Sequence, residues 1–92
     1  MSWEFQISEQ AKENLEDLEE GLRKRIVSKL TEIKENVRNG VDPNHYFKWI
    51  NSYNVHRLRI GDYRIFTDID KNDKLLKVLT VLPRDKAYRG WG

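Results

Sequence analysis

The spacing of apolar residues changes near residue 54, and this change narrows the possible folds to a mixture of helices and strands. Beyond it, apolar and polar residues alternate in three runs, 55–60, 63–69 and 75–82, and a period of two predicts strands. Gly61-Asp62 and the polar residues 70–73 separate these runs. Both connections are short enough for tight turns, so a three-stranded antiparallel meander is expected.

Residues 3–7 alternate and predict a first strand, the spacing is then helical as far as residue 39, and residues 40–54 are predicted to form an irregular connection. Ser8 is a suitable helix N-cap, and Gly21 interrupts the helical pattern that follows it. A longer helix is predicted from about Leu22 to Asn39, since its apolar residues form one stripe and Asn39-Gly40 supplies a stop. The stripe comprises Leu22, Ile26, Leu30, Ile33 and Val37.

The element order predicts an α+β fold, with an N-terminal strand, two antiparallel helices joined at Gly21, and then the meander. Both helices are expected to pack on one face of the sheet. The 92 residues suit a single domain, 1–92. They include no cysteine, no apolar run of the ~18 residues that span a bilayer, and no secretory signal at the N-terminus. We therefore expect a soluble, cytoplasmic protein that stays out of the membrane.

Charge is unevenly distributed along the chain. Residues 1–54 carry 8 Lys and Arg against 10 Asp and Glu, whereas residues 55–92 carry 9 against 5. This asymmetry is compatible with ordinary scatter, or with a polyanion that binds the second half of the chain.

The Gly61-Asp62 loop fixes a register for the first hairpin of the meander, if it is a two-residue turn. The opposed pairs would be Ile60 with Tyr63, Arg59 with Arg64, Leu58 with Ile65, and Arg57 with Phe66. Because side chains alternate between faces, one set lies under the helices and the other lies on the opposite face. The opposite face would hold Arg57, Arg59, Arg64 and Phe66.

Three arginines on one face are difficult to explain by stability, because like charges opposed across strands destabilise a sheet by up to ~1 kcal/mol. An anion bound between them would reverse that effect, since guanidinium groups bind phosphate bidentately and keep their charge at physiological pH. Phe66 on the same face is predicted to stack on an RNA base. The alternative is a solvated arginine face with salt bridges to nearby carboxylates.

The C-terminal tail adds further cations, Arg84, Lys86 and Arg89, and we expect it to fold back towards the arginine face. Tyr88 lies among them and is a candidate proton donor, or else an aromatic residue that packs the tail. His56 is predicted to point to the helix side, and His45 is too isolated for a metal site, so neither a metal nor a cofactor is expected. The aromatic residues of the loop at 40–54 either pack the core or form a surface for a partner.

Two segments resemble a known protein family. Leu58-Arg59-Ile60-Gly61-Asp62-Tyr63-Arg64-Ile65 resembles the Leu-Arg-Val-Gly-Asp-Tyr-Arg-Ile signature of the RelE/ParE toxin superfamily. The ending from Leu82 to Arg89 is similar to the Pro-Arg-x-x-Ala-Tyr close of archaeal RelE proteins, which cleave messenger RNA. The first motif does not separate RNA cleavers from gyrase poisons, whereas the C-terminal Arg and Tyr favour the RelE type.

The resemblance implies a toxin of a type II toxin–antitoxin system, a metal-independent endoribonuclease that cuts messenger RNA in the ribosomal A site and so inhibits translation. The 2′-hydroxyl of the RNA would attack the adjacent phosphodiester. By position, Arg64, Arg84 and Tyr88 match the catalytic residues, and Arg57 and Arg59 match basic residues of the second strand. Some members carry lysines at these last two positions, and an arginine cannot replace a lysine in proton transfer.

The residues predicted to bind RNA are Arg57, Arg59, Phe66, Lys86 and Arg89. The implied partners are a RelB-type antitoxin, the ribosome and messenger RNA, and the free toxin is expected to be monomeric. Two alternatives stay open: a ParE-like inhibitor of DNA gyrase without nuclease activity, and a catalytically inactive module that binds RNA or an antitoxin.

Overall fold

The computed structural model describes residues 2–86, which form five strands and two α-helices. In chain order these are β1 (Glu4–Ile7), α1 (Glu9–Glu16), α2 (Glu20–Arg38), β2 (Lys48–Ile50), β3 (Val55–Ile60), β4 (Tyr63–Asp70) and β5 (Leu75–Pro83). A single 3-10 turn, Pro43–His45, lies between α2 and β2. The predicted α+β fold and its element order are confirmed.

The strands form one sheet in the order β1-β5-β4-β3-β2. β3, β4 and β5 are the predicted antiparallel meander, and β1 joins its far edge by pairing in parallel with β5. The opposite edge carries β2, a strand of three residues that the sequence patterns did not reveal. β2 pairs only with Val55–Arg57, so it covers only the first half of β3.

The first helix begins as predicted, because the Ser8 side chain accepts a hydrogen bond from Ala11 N at 3.1 Å. The predicted break at Gly21 is wrong by a few residues: α1 ends at Glu16, and Gly21 lies in the first turn of α2. Glycine is tolerated there because a first-turn residue is not in the helix interior. Leu18 in the true connection packs against the main core.

The main core lies between the helices and one face of the sheet. Its buried residues from α1 and α2 meet buried residues of β3, β4 and β5, and Phe47 closes one side. They are Ala11, Leu15, Ile26, Ile33, Val37, Phe47, Leu58, Ile60, Ile65, Leu76, Val78 and Val81. The packing of both helices on one face is as predicted, and it leaves the other face available for a site.

A β-bulge shapes the face away from the helices. Phe66 is opposite Thr80 but Thr67 is opposite Val78, so Leu79 is an extra residue in β5. Leu79 and Leu82 both pack on a small second cluster formed by Val55 and Phe66, which Tyr53 also covers. Part of the second face is therefore apolar and packed rather than open.

Candidate nucleic-acid interface

The predicted register of the β3–β4 hairpin is confirmed in every pair. Ile60 lies opposite Tyr63, Arg59 opposite Arg64, Leu58 opposite Ile65, and Arg57 opposite Phe66. The turn is set by Gly61, whose φ of +55° is readily available only to glycine, while Asp62 is outside the left-handed region. A glycine at the first turn position is typical of a two-residue hairpin loop.

Cations line the outer half of the second face, where β2 and β3 pair. Lys48 lies opposite Arg57 and so shares its face, and Arg59 follows two residues along β3, a spacing of about 6.7 Å. Lys48 and Arg59 are exposed, and Arg57 is half-buried. We call Lys48, Arg57 and Arg59 the cationic row. Lys48 escaped the sequence analysis because its segment was interpreted as an irregular loop.

Arg64 occupies its predicted place in the register, but its side chain is only 6% exposed. Its Nη1 donates to Gly61 O at 3.3 Å and to Tyr63 O at 3.2 Å, so the guanidinium turns back onto the hairpin loop. Among residues 2–86 no carboxylate pairs with it. Arg64 therefore stabilises the turn that carries Arg59, and a role in catalysis remains a prediction.

The expectation that Phe66 is exposed for base stacking is wrong. Its side chain is 0% exposed and forms the centre of the second cluster. Tyr53 lies edge-on to it, with ring centroids 6.4 Å apart. The bulge in β5 explains the difference, because it brings Leu79 as well as Leu82 over the ring.

The chain enters a turn after β5, where Lys86 N donates to Pro83 O at 3.0 Å, and the expected return of the tail to the arginine face stays a prediction. Arg84 N donates to Asp62 O at 2.6 Å, which ties the end of β5 to the β3–β4 turn. Arg84 and Lys86 are both exposed, and Arg84 lines a shallow depression together with Asp62 of that turn. Tyr88 and Arg89, also predicted as site residues, lie outside the described residues.

His56 lies on the helix side of the sheet, as predicted, opposite Thr67. Its ring meets Trp49 of β2 edge-on, with centroids 5.1 Å apart. Partial burial is the main cause that lowers the pKa of His56 below its ordinary value of 6.5; Lys71 lowers the pKa further, and Asp68 opposes them. His56 thus favours its neutral form and adds no charge to the interface.

The aromatic loop contributes mainly to packing. Phe47 is buried in the main core, and Tyr46 Oη accepts a hydrogen bond from Asn36 Nδ2 at 2.7 Å. Trp49 is the exception, with 47% of its surface exposed. Within residues 2–86, no three acidic or histidine side chains are grouped to hold a metal ion. None of the described helices has the length and apolar character to cross a membrane.

Comparisons with solved structures show where this fold occurs. The chain is similar to the structure of a RelB-RelE antitoxin-toxin complex from Methanococcus jannaschii, with 24% identity, a TM-score of 0.68 and coverage of 95% of this chain and 99% of that one. It is also similar to an archaeal RelE-RelB complex from Pyrococcus horikoshii OT3, with 22% identity, a TM-score of 0.64 and coverage of 95% and 100%.

A third similar structure is the toxin-antitoxin complex RelBE2 from Mycobacterium tuberculosis, with 20% identity, a TM-score of 0.67 and coverage of 91% and 100%. At these identities the structures establish the fold. No curated protein sequence matches the chain significantly.

The sequence itself matches a family model over residues 5–88, nearly its whole length. That model is described as the ParE toxin of type II toxin-antitoxin systems, parDE. The solved structures carry RelE names, whereas the sequence model carries a ParE name. The chain belongs to the ParE toxin family of type II toxin–antitoxin systems, within the RelE/ParE superfamily.

Proposed function

We propose that this toxin is a ribosome-dependent endoribonuclease that cuts messenger RNA in the A site and thereby inhibits translation. The observation that carries the proposal is the cationic row, which lies on the side of the sheet that the helices leave uncovered. Arg59 on this row is opposed to Arg64, an arrangement that costs stability unless an anion binds nearby.

The proposed reaction needs no metal and no cofactor. The 2′-oxygen attacks the adjacent phosphorus, the bond from phosphorus to the 5′-oxygen breaks, and a 2′,3′-cyclic phosphate and a 5′-hydroxyl result. A base takes the proton of the 2′-hydroxyl, and the leaving 5′-oxygen receives a proton. Negative charge accumulates on the phosphorane oxygens in between, and fixed cations stabilise it.

The side chains would divide this work between them. Arg57 and Arg59 hold the phosphodiester and stabilise charge, but arginine does not exchange its proton at physiological pH. Arg84, whose backbone bonds to Asp62 in the same turn, adds a further cation. Arg64 stabilises the turn through its hydrogen bond to Gly61 O. Proton transfer falls to Tyr88 or to groups of the ribosome.

The proposed protein partner is a RelB-type antitoxin. Solved relatives from three organisms were crystallised as complexes with RelB-type proteins. An antitoxin that presents carboxylates to the cationic row would neutralise it and exclude RNA from it. The free toxin is proposed to be monomeric and to act in the cytoplasm.

A second candidate is inhibition of DNA gyrase without RNA cleavage, which the ParE name of the matching family model favours. The two candidates predict different damage in a cell that expresses the toxin. A nuclease leaves in-frame cuts in translated messages, whereas a gyrase inhibitor leaves messages intact and blocks DNA supercoiling.

Mapping the 5′ ends of cellular messages after induction of the toxin separates these candidates. We expect cuts at translated codons, and we expect Arg59→Gln to reduce cleavage about 100-fold, the effect of one lost charge-stabilising group. Lys24→Gln is the matched control: it removes one exposed positive charge from α2, far from the cationic row in sequence, and should keep full activity.

Intact messages together with inhibited gyrase would refute the nuclease and establish the second candidate. Growth that continues normally, with neither effect, would indicate a catalytically inactive module that only binds RNA or an antitoxin. Purified RNA alone is not an adequate substrate for this test, because the proposed activity requires the ribosome.

A further inference from the structure

A shallow depression lies where α2 passes the β3–β4 turn. It is lined by Arg25, Ser28, Lys29 and Glu32 of α2, by Arg59 and Ile60 of β3, and by Gly61. Three of these residues are cations and one is a carboxylate, so the lining carries a net charge of +2. The cations of α2 were not among the residues predicted from the sequence to have a function.

The Arg25 guanidinium lies against the β3–β4 turn, beside Gly61. A Cβ atom at position 61 would lie 3.2 Å from Arg25 Nη2 and 3.5 Å from Cζ, so a side chain there would push the guanidinium away by a few tenths of an ångström. Gly61 therefore has two uses, since it also supplies the positive φ of the turn. The result is a cation from α2 positioned next to Arg59.

The two arginines are available to an external anion. Neither Arg25 nor Arg59 forms an ion pair with any residue in the range 2–86. Lys29 is different, because its Nζ lies 3.1 Å from Glu32 Oε2. The unpaired positive charge of the depression therefore belongs to the arginines, whose planar groups suit phosphate.

The depression and the cationic row lie on opposite faces of the sheet, and they meet at the uncovered edge of β3. β2 pairs only with Val55–Arg57, so no described strand covers β3 at Arg59 and Ile60. In a two-residue hairpin Ile60 and Tyr63 form the hydrogen-bonded pair, so the backbone N–H of Arg59 points outward to this edge. Arg59 thus belongs to both surfaces.

We infer that this depression is a second phosphate-binding site, which takes the backbone of single-stranded RNA as it leaves the cationic row and passes over α2. The inference rests on the proposed function and extends its RNA contacts to Arg25. The lining contains one apolar residue, Ile60, and that residue is buried, whereas protein partners are usually anchored by exposed aromatic and apolar groups. RNA is therefore favoured over an acidic protein.

The test measures binding of the free toxin to a fluorescein-labelled oligouridylate over a range of about 50 to 200 mM salt. We expect Arg25→Gln to reduce the slope of log K against log salt by about 0.7, the value for one phosphate contact on a single strand. Lys24→Gln removes the neighbouring charge, which is outside the depression, and should leave the slope unchanged.

A second test uses a substitution that should tighten RNA binding instead of weakening it. Glu32→Gln removes the only carboxylate of the depression and should tighten binding about two- to fivefold at low salt, in the range of one exposed charge interaction. Glu35→Gln makes the same change one turn further along α2, outside the lining, and serves as its control.

An unchanged slope in Arg25→Gln would overturn the inference. So would binding of a polyglutamate peptide that is weakened by Arg25→Gln while the RNA slope is unchanged, which would assign the depression to an acidic protein. Messages left uncut by a toxin that shows the Arg25-dependent slope would refute the nuclease and leave this site standing. Cleavage without any Arg25 dependence of binding would refute the site alone.

Discussion

Arg64 and Phe66 lie two residues apart in β4, on the same face of the sheet, and both are buried. The alternation of side chains along a strand could not predict this burial. Alternation predicts which face a side chain leaves from, and it did so correctly for both residues. It does not predict that the Arg64 guanidinium turns to two loop carbonyls, or that the bulge at Leu79 covers Phe66. Those contacts depend on rotamers and on residues distant in sequence.

The burial of Phe66 allows the effect of its removal on the free energy of unfolding to be predicted. Phe66→Ala should lower the free energy of unfolding by about 3–5 kcal/mol, because it removes a fully buried ring and leaves a cavity. Urea denaturation followed by circular dichroism measures this change. Trp49→Ala, at a half-exposed position, should cost much less, and a Phe66→Ala protein as stable as the wild type would contradict the packed second cluster.

His56 gives the fold a pH dependence with a definite sign. Its pKa is lowered in the folded protein, so the unfolded chain binds more protons at moderately acidic pH. The contribution to stability is therefore complete above pH 6.5 and is lost as the pH falls below that value. The measurement compares unfolding at neutral and mildly acidic pH in the wild type, in His56→Gln, which should lose this component, and in His45→Gln, which should retain it.

Among the elements, those with a strong period were predicted well and those of a few residues were not. β3 was predicted with its observed bounds because six alternating residues end at a glycine turn. β2 has three residues and no alternation that stands out from an aromatic loop, so its pairing with β3, and the place of Lys48, followed only from the structure. The bounds of α2 were shifted because Gly21 suggested an interruption where the chain only begins a helix.

Two glycines should respond to alanine with opposite signs. Gly61→Ala should destabilise the protein by about 1–2 kcal/mol, because φ is +55° and the new Cβ would displace the Arg25 guanidinium. Gly21→Ala should stabilise it by about 0.4–1 kcal/mol, because position 21 is helical and its surroundings are open. Thermal unfolding of both variants measures the difference, and effects of the same sign would contradict the assigned conformations.

Across the whole molecule, a few polar contacts join the first helix to β5: Asn14 Oδ1 accepts from Thr80 Oγ1 and Val81 N, and the Ser8 hydroxyl makes a further contact at the start of the helix. Ser8 Oγ donates to Leu79 O at 2.6 Å, over a separation of 71 residues, while it also caps α1. Ser8→Ala should therefore cost about 1–3 kcal/mol, through the lost cap and an unsatisfied carbonyl. Thr31→Ala removes an exposed hydroxyl that bonds only within α2, and a comparable loss there would argue against the special role of Ser8.

The pairing of β1 with β5 has a consequence for how such a chain matures. β1 is made first, yet its neighbour in the sheet, β5, is the last strand among residues 2–86 to be made, so the sheet closes only after β5 has emerged from the ribosome. Until then β1 has no strand to pair with, and the hydrogen bond from Arg84 N to Asp62 O in the β3–β4 turn cannot form. While β5 is still being synthesised, the chain therefore has neither a closed sheet nor a fixed Arg84, and the proposed activity could begin only once this domain has been translated.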